Sequence, residues 1–371
     1  VPPANTQQVS EILRYANENG RTVTPTGGNT KQSWGNATQT NIRLSLTRLN
    51  RVLEHPWQDL TCTVQAGCTW ATLQQTLAKH GQFVALDPLW PERATVGGIL
   101  ATNDSGAIRH RYGSLRDLVI GMTLVLADGT IARTGGKVVK NVAGYDLSKL
   151  LTGSFGTLAV ITEATFRLHP LPQHAKTFTV VAPQARQLAP LMATIRASHL
   201  LTQALQLRGD ANGFHLDIQL NAHPEAKQNE ILAEMAQSLG LDIQNPSEEV
   251  WRARESLFAK SGCAIKATMM PDSVTTLAED VRRLGGTSVS QALGLMYANF
   301  PDYRTGKPLD SLFAYVDAAS GSLTMLSDPD FFGDELAPPW GKKEVDPLMQ
   351  AVKHQFDPNR TLNPGRFLGG I

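Results

Sequence analysis

The stretch ATVGGILATNDSG, Ala94 to Gly106, decides the fold once it is set beside PTGGNTK, Pro25 to Lys31. Each joins two adjacent glycines to hydroxyl and amide side chains. In PTGGNTK, Gly27 and Gly28 lead into Asn29 and Thr30 directly after a short strand. Such a loop can turn several backbone N–H groups inward as an anion nest, with a pyrophosphate as the natural guest. Thr26, Gly27, Gly28, Asn29, Thr30 and Lys31 are the candidates here; an ordinary glycine turn with a polar tip gives the same letters. In the later stretch, Gly97 and Gly98 open a small-residue helix or turn carrying Thr102, Asn103 and Ser105 as hydrogen-bonders. Two readings stay open for it, an anion-favouring helix start and a tight helix–sheet contact. Thr95, Val96, Ala101 and Gly106 complete this candidate segment.

Outward from these loops the pattern continues. Ile108-Arg-His-Arg-Tyr-Gly113 offers Arg109 and Arg111 as positive groups or as solvated surface, with Tyr112 and Gly113 as further candidates. Gly144, Gly153 and Gly156 would let backbone approach a flat ring closely. The run Leu158 to Ile161 reads as a strand able to present main-chain donors and acceptors to an adenine edge. Leu362-Asn-Pro-Gly-Arg366 closes the chain as a turn after a helix over Asp346 to Phe356.

Helix and strand signals alternate from the start, without the regular repeat of a βαβ barrel. Gln8 to Asn19 has helical apolar spacing, Arg21 to Pro25 and Thr61 to Ala66 read as strands, and Thr69 to His80 places Leu73, Leu77 and Ala78 on one helical face. Glycine is dense from Asp87 to Ile161 and falls away after His169-Pro-Leu-Pro172, which marks a domain boundary. Beyond it, a hairpin around Gly209 to Gly213 and helices over Pro224 to Leu239, Ser247 to Lys260 and Ser273 to Leu284 suggest a small α+β unit. Its antiparallel sheet is expected to be covered on one face.

Composition excludes several classes. Lys and Arg number 34 against 33 Asp and Glu, so there is no electrostatic footprint for a nucleic acid. Cys62, Cys68 and Cys263 form no CxxC pair, which disfavours a disulfide framework, a zinc cage or an iron–sulfur cluster held by this chain. There is no P-loop, no GxGxxG after a strand, no GxSxG and no HExxH. No apolar run nears the ~20 residues that span a bilayer, so the expectation is a soluble, cytoplasmic protein.

The order PTGGNT, ATVGGILATNDSG, RYGSLRD, KVVKNVAGYDL, GSFGTLAVITEATFRL and FDPNRTLNPGRF resembles the FAD-binding domain of the vanillyl-alcohol-oxidase/PCMH flavoproteins. Within that family it is similar to the FAD-binding subunits of bacterial glycolate oxidase (glycolate dehydrogenase) complexes. The resemblance is dense over about residues 5–170 and at the terminal motif, and loose between, where Trp251-Arg-Ala-Arg-Glu255 is the best landmark. It implies an α+β fold: a PCMH-type FAD-binding domain of two α+β subdomains over residues 1–172, an α+β cap over 173–345, and a C-terminal helix and loop, 346–371, returning to the FAD domain. It further implies a pyrophosphate loop at Thr26 to Thr30, a segment along the ribityl chain and flavin at Gly97, Gly98, Thr102, Asn103, Ser105 and Gly106, and an adenine-side strand at Gly156, Val160 and Ile161. Asn363 is implied to reach back to the isoalloxazine.

Departures from the family pattern shape the expected function. Asn29 stands where covalently flavinylated relatives carry the linking histidine, so the FAD is expected to be noncovalent. Ala159 replaces a common glycine. The cap lacks the HxGDGNxH-like cluster of related catalytic 2-hydroxy-acid dehydrogenases; His215 and His223 are nearest in position and form no pair, so no catalytic base is visible. The resemblance thus implies an FAD-binding subunit of a glycolate- or D-lactate-oxidising complex. A small 2-hydroxy acid would be oxidised to a 2-oxo acid, and electrons would pass to a catalytic flavoprotein sibling and an iron–sulfur subunit. A peripheral position at the inner membrane, through those partners, is the alternative to a purely cytoplasmic one. A self-sufficient flavin oxidase of another alcohol or hydroxy acid, and a scaffold subunit without catalysis, remain as alternatives.

Overall fold

The computed structural model describes residues 1–137, 145–221, 227–259, 262–301, 307–326, 339–341 and 345–371. Contacts divide the chain into two compact units, one of Val1–Ser105, Gly113–Leu171 and Lys342–Ile371, the other of Gly106–Tyr112 and Pro172–Gly341. Each combines sheets with helices, as the α+β reading expects.

The first unit begins with the helix Thr6–Glu18, capped by the Asn5 side chain and burying Val9, Leu13 and Ala16 on its inner face. The strand Val23–Thr26 then pairs in parallel with Ile42–Ser45, a two-stranded sheet that launches the glycine loop. A separate antiparallel sheet has the spatial order Val52–Glu54, Thr61–Gln65, Val160–Arg167, Val119–Val125, Ile131–Gly135. Its central strand is the predicted Leu158–Ile161 segment, which starts at Val160 and runs to Arg167 because β-branched and aromatic residues continue the alternation. The helix Trp70–Ala78 is capped by Thr69 and buries Trp70, Leu73 and Leu77. Ala78, expected on that face, is exposed, and Trp70 takes the place one turn earlier.

The second unit is built on one eight-stranded antiparallel sheet. Its order is Ile243–Gln244, Ala175–Ala182, Gly213–Asn221, Thr202–Asp210, Thr287–Gln291, Leu295–Phe300, Cys263–Thr268, Ser322–Met325. The predicted hairpin is present, with Leu205 opposite Ile218 and Leu207 opposite Leu216. One face buries Val180, Leu205, Leu207, Ile218, Ile265 and Met296 against apolar residues of the helices Ala189–Ala197, Gln228–Ser238, Val274–Arg283 and Lys307–Ala318. The other face carries Thr177, Gln206, Asp217, Tyr297 and Asn299. Contrary to the expectation of a sheet covered on one face, residues 248–257 engage this polar side too. Gln206 Nε2 donates to the Val250 carbonyl at 2.7 Å, Asn299 Nδ2 to the Leu257 carbonyl at 2.6 Å, and Trp251 Nε1 to Thr177 Oγ1 at 3.0 Å. That segment, predicted as one helix over Ser247 to Lys260, is a 3-10 turn, Glu248–Arg252, followed by the short helix Ala253–Leu257.

Candidate functional site

A cleft of about 740 Å³, counted with its open mouth, lies within the first unit. Four chain segments wall it: Pro25–Gln32, Thr95–Thr102, Phe155–Ile161, and the terminal turn through Asn363 and Arg366.

The glycine loop leaves the strand Val23–Thr26 under tight confinement. A Cβ on Gly27 would stand 2.0 Å from Thr95 Oγ1, and one on Gly28 only 1.8 Å from the Arg93 carbonyl oxygen. Both glycines are therefore required by the close approach of residues 93–95, whatever the loop binds. The turn is completed at Asn29, whose φ of 54° lies in the left-handed region that Asn tolerates better than most residues.

Facing the loop is the helix Val96–Thr102, where the two open readings divide between neighbours. Gly97 donates its N–H to the Ala66 carbonyl at 2.8 Å, and its Cβ position is 3.0 Å from Ala66 Cβ, so it serves packing. A Cβ on Gly98 would meet only Thr95 Oγ1 at an ordinary 3.4 Å, and this glycine lines the cleft. Thr102 also lines it while its hydroxyl donates to the Gly98 carbonyl at 2.8 Å.

The C-terminal turn is pinned from behind. Lys353 Nζ, itself buried, donates to Asp357 Oδ2 at 2.7 Å, to the Thr157 carbonyl at 2.7 Å and to the Leu362 carbonyl at 3.0 Å. Asp357 returns acceptors to the Thr361 and Leu362 amides, both at 2.8 Å. Burial lowers the Lys353 pKa, and Asp357 beside it opposes the shift. This clamp sets Asn363, whose Nδ2 donates to the Phe155 carbonyl at 2.8 Å. Asn363 Oδ1 is buried with no hydrogen-bond partner. Arg366 donates to Gln32 Oε1 and to the Lys31 and Gln32 carbonyls, and its burial lowers the guanidinium to about 10.

The cleft is electrostatically one-sided. Lys31 and Arg366 line it, and no Asp, Glu or His does among the described residues. Lys31 is paired behind the wall with Asp104 at 3.2 Å, and its Nζ stands 5.6 Å and 5.5 Å from the ring centroids of Trp34 and Trp90.

Of the sequence candidates, the structure brings Thr26, Gly27, Gly28, Asn29, Thr30, Lys31, Thr95, Gly97, Gly98, Ala101, Thr102, Gly156, Val160, Ile161 and Asn363 to this one cleft. Others stand elsewhere. Val96 is a core residue of its helix, Asn103 caps that helix in a left-handed conformation, and Ser105 is buried outside the lining. Gly106 and Tyr112 group with the second unit, where Tyr112 Oη donates to Gln203 Oε1 at 2.8 Å and burial raises its pKa. Gly113, at φ 84°, opens the Ser114–Asp117 capping box and serves the fold. Arg109 and Arg111 belong to the second unit as well. Gly144 and His223 lie outside the described residues. One pairing departs from the expectation: Asn363, implied for the flavin end, touches Phe155 and approaches Gly156, implied for the adenine end, with Nδ2 3.2 Å from that glycine's Cβ position. Sequence reasoning missed Gln32, Leu46, Ala66 and Phe155 as lining residues; none carries a motif letter that points to a ligand.

These residues fit FAD. Main-chain glycine segments admit a diphosphate, Leu46, Ala66, Ala159, Val160 and Ile161 offer an apolar wall for a ring, and the Arg366 guanidinium suits an anionic ligand. The unpartnered Asn363 Oδ1 asks for an N–H or O–H donor, which FAD has on both rings and on its ribityl chain.

Comparison with known proteins agrees. Residues 1–135 match the family described as FAD binding domain, and residues 336–367 match FAD linked oxidases, C-terminal domain. The chain is 35% identical over 207 residues to glycolate oxidase subunit GlcD of Bacillus subtilis, covering 56% of this chain and 44% of that one. It is 29% identical over 374 residues to the mitochondrial D-lactate dehydrogenase [cytochrome] 1 of Saccharomyces cerevisiae, covering all of this chain and 57% of that one. The chain thus spans about half the length of these curated relatives. A solved alkyldihydroxyacetonephosphate synthase shares the fold, with a TM-score of 0.73 at 17% identity over 98% of this chain and 75% of that one. The matched FAD binding domain and FAD linked oxidase C-terminal domain indicate FAD as the cofactor, and the fold is the one shared with that synthase.

Proposed function

We propose that the cleft of the first unit holds FAD noncovalently and that the chain is the FAD-binding subunit of a complex oxidising a small 2-hydroxy acid, glycolate or D-lactate, to the 2-oxo acid. The observation that carries this reading is the chemistry of the lining: glycine backbone, the Arg366 guanidinium, a buried amide oxygen without a partner, and no carboxylate or histidine among the described residues. Thr26 to Thr30 would hold the diphosphate through main-chain N–H groups, with Arg366 supplying positive charge. Gly98 would let the helix Val96–Thr102 approach the ligand. Asn29 offers no imidazole for a covalent link.

When bound, FAD supplies the two-electron acceptor. Oxidation of a 2-hydroxy acid also releases the proton of its hydroxyl, and the described lining of this cleft holds no group to take it. A partner subunit supplying that base would fit the likeness to a glycolate oxidase subunit. Electrons would leave through an iron–sulfur partner, since Cys62, Cys68 and Cys263 are buried and spaced too far apart in sequence for a cluster motif, with Cys62 pushed up to about 12 chiefly by burial.

Visible spectroscopy of the purified chain tests the reading. A two-band flavin spectrum is expected, with FAD passing into the supernatant on heating, and bleaching by glycolate or D-lactate only when partner subunits are added. Bleaching by the chain alone would establish a self-sufficient oxidase. A colourless chain that takes up no added FAD would overturn the cofactor assignment.

A further inference from the structure

We propose that the Lys31–Asp104 pair is a charge-tuning device for the flavin, Lys31 favouring the reduced ring and Asp104 tempering it. The inference rests on the reading that FAD fills the cleft. Lys31 lines that cleft, its side chain is 4% exposed, and Asp104 is fully buried. Buried charges act through a low dielectric, so each is felt well beyond its contact shell.

The site is built to hold the ammonium in place. Asp104 Oδ2 lies 3.2 Å from Nζ and also accepts the Leu89 N–H at 2.8 Å, which fixes the carboxylate. Trp34 and Trp90 place their rings within 5.6 Å of the same ammonium. Trp90 holds its place with a φ of 54°, a region a bulky side chain rarely adopts, and such outliers gather at functional sites.

This arrangement differs from a phosphate clamp. Arg366 donates to the Gln32 side chain and to the Lys31 and Gln32 carbonyls. Lys31 is matched by a full carboxylate, which would repel a phosphate. A flavin ring behaves differently, because it is neutral when oxidised. Hydride transfer from the 2-hydroxy acid brings two electrons and one proton to the ring, leaving one negative charge, while the hydroxyl proton goes to the base. A nearby ammonium stabilises that new charge, and a nearby carboxylate opposes it.

Equilibration of the holoprotein with a reference dye and a mild chemical reductant measures the effect, with bound FAD quantified in parallel. Lys31→Met keeps the stem between the two indoles and removes the charge. It is expected to shift the oxidised-to-reduced ratio about tenfold toward oxidised flavin, equivalent to ~30 mV for a two-electron couple. Asp104→Asn keeps an acceptor for Leu89 and should shift the ratio in the opposite direction. Lys31→Arg should stay near wild type. Unchanged ratios in both charge-removing variants, or shifts of the same sign, would overturn the proposal. If Lys31→Met retains no FAD, the Asp104→Asn ratio alone decides. Loss of FAD from both variants would assign the pair to holding the cofactor, which also overturns tuning. A wild-type chain that binds no FAD would show instead that the cofactor reading itself fails.

Discussion

Two buried polar networks, one in each unit, have opposite states of satisfaction. In the second unit Asp217, fully buried, accepts from Arg208 Nε at 2.6 Å and Nη2 at 2.9 Å, from Gln206 Nε2 at 2.9 Å and from Thr179 Oγ1 at 2.7 Å. In the first unit Asn363, equally withdrawn from solvent, leaves its amide oxygen without a partner at the wall of the cleft. A saturated network supports the fold and asks for nothing more. An unsaturated one costs stability until a ligand completes it. The contrast separates residues that hold the protein together from a residue at the cleft with an acceptor still to satisfy, although both are polar and buried.

The largest effect is expected where saturation is removed. Asp217→Ala leaves Arg208, Gln206 and Thr179 facing a space without their acceptor. Breaking such a pair costs about 3 kcal/mol, at the lower end of the usual range because the Arg208 side chain keeps 19% exposure. Denaturant unfolding should show that loss, while FAD content in the folded protein stays at the wild-type level. A loss of FAD equal to that of a cleft variant would mean that the two networks are not separable in this way.

A smaller and more diagnostic change is Asn363→Gly. Glycine accepts the φ of 41° at this position without strain and removes the unpaired oxygen together with the bond to Phe155. FAD affinity should fall about tenfold, ~1.4 kcal/mol, as for a lost hydrogen bond to a ligand. The FAD-free protein should change by less than about 1 kcal/mol, because one satisfied and one unsatisfied group leave together. Equal losses in the FAD-bound and FAD-free forms would show that Asn363 serves the fold only.

What the sequence disclosed follows the same division. Gly27 and Gly28 stood out because close backbone approach tolerates no other residue, and the structure presses Arg93 and Thr95 onto them. The strands and amphipathic helices were legible from apolar spacing, as at Val9, Leu13 and Ala16. Tyr112 and Gly113 lie in the RYGSLRD motif, and the structure gives them a hydrogen bond to Gln203 and a place before a capping box. Charge partners were invisible: nothing in the letters joins Lys31 to Asp104 or Lys353 to Thr157, since folding alone brings such distant positions together. The helix expected over Ser247 to Lys260 split, because polar contacts from Gln206 and Asn299 hold its two halves against the sheet.

The finest test lies in the second unit and concerns acid rather than mutation alone. His110 is pushed below the ordinary imidazole value by burial first, and then by Arg196 and Arg111; its Nδ1 is buried without a hydrogen-bond partner. His215 is lowered by burial and Arg208, against the opposing pull of Asp210 and Asp217. A histidine whose folded pKa lies below its unfolded value binds fewer protons folded than unfolded in the interval between them. Stability therefore rises with pH across that interval and falls on acidification below about pH 6.5. Replacing His110 by Gln removes one of the two contributors. Urea midpoints measured at about pH 7.5 and again near pH 5.5 should drop less in His110→Gln than in wild type, with FAD content unaltered at the higher pH. An identical drop would show that His110 titrates as it does in the unfolded chain.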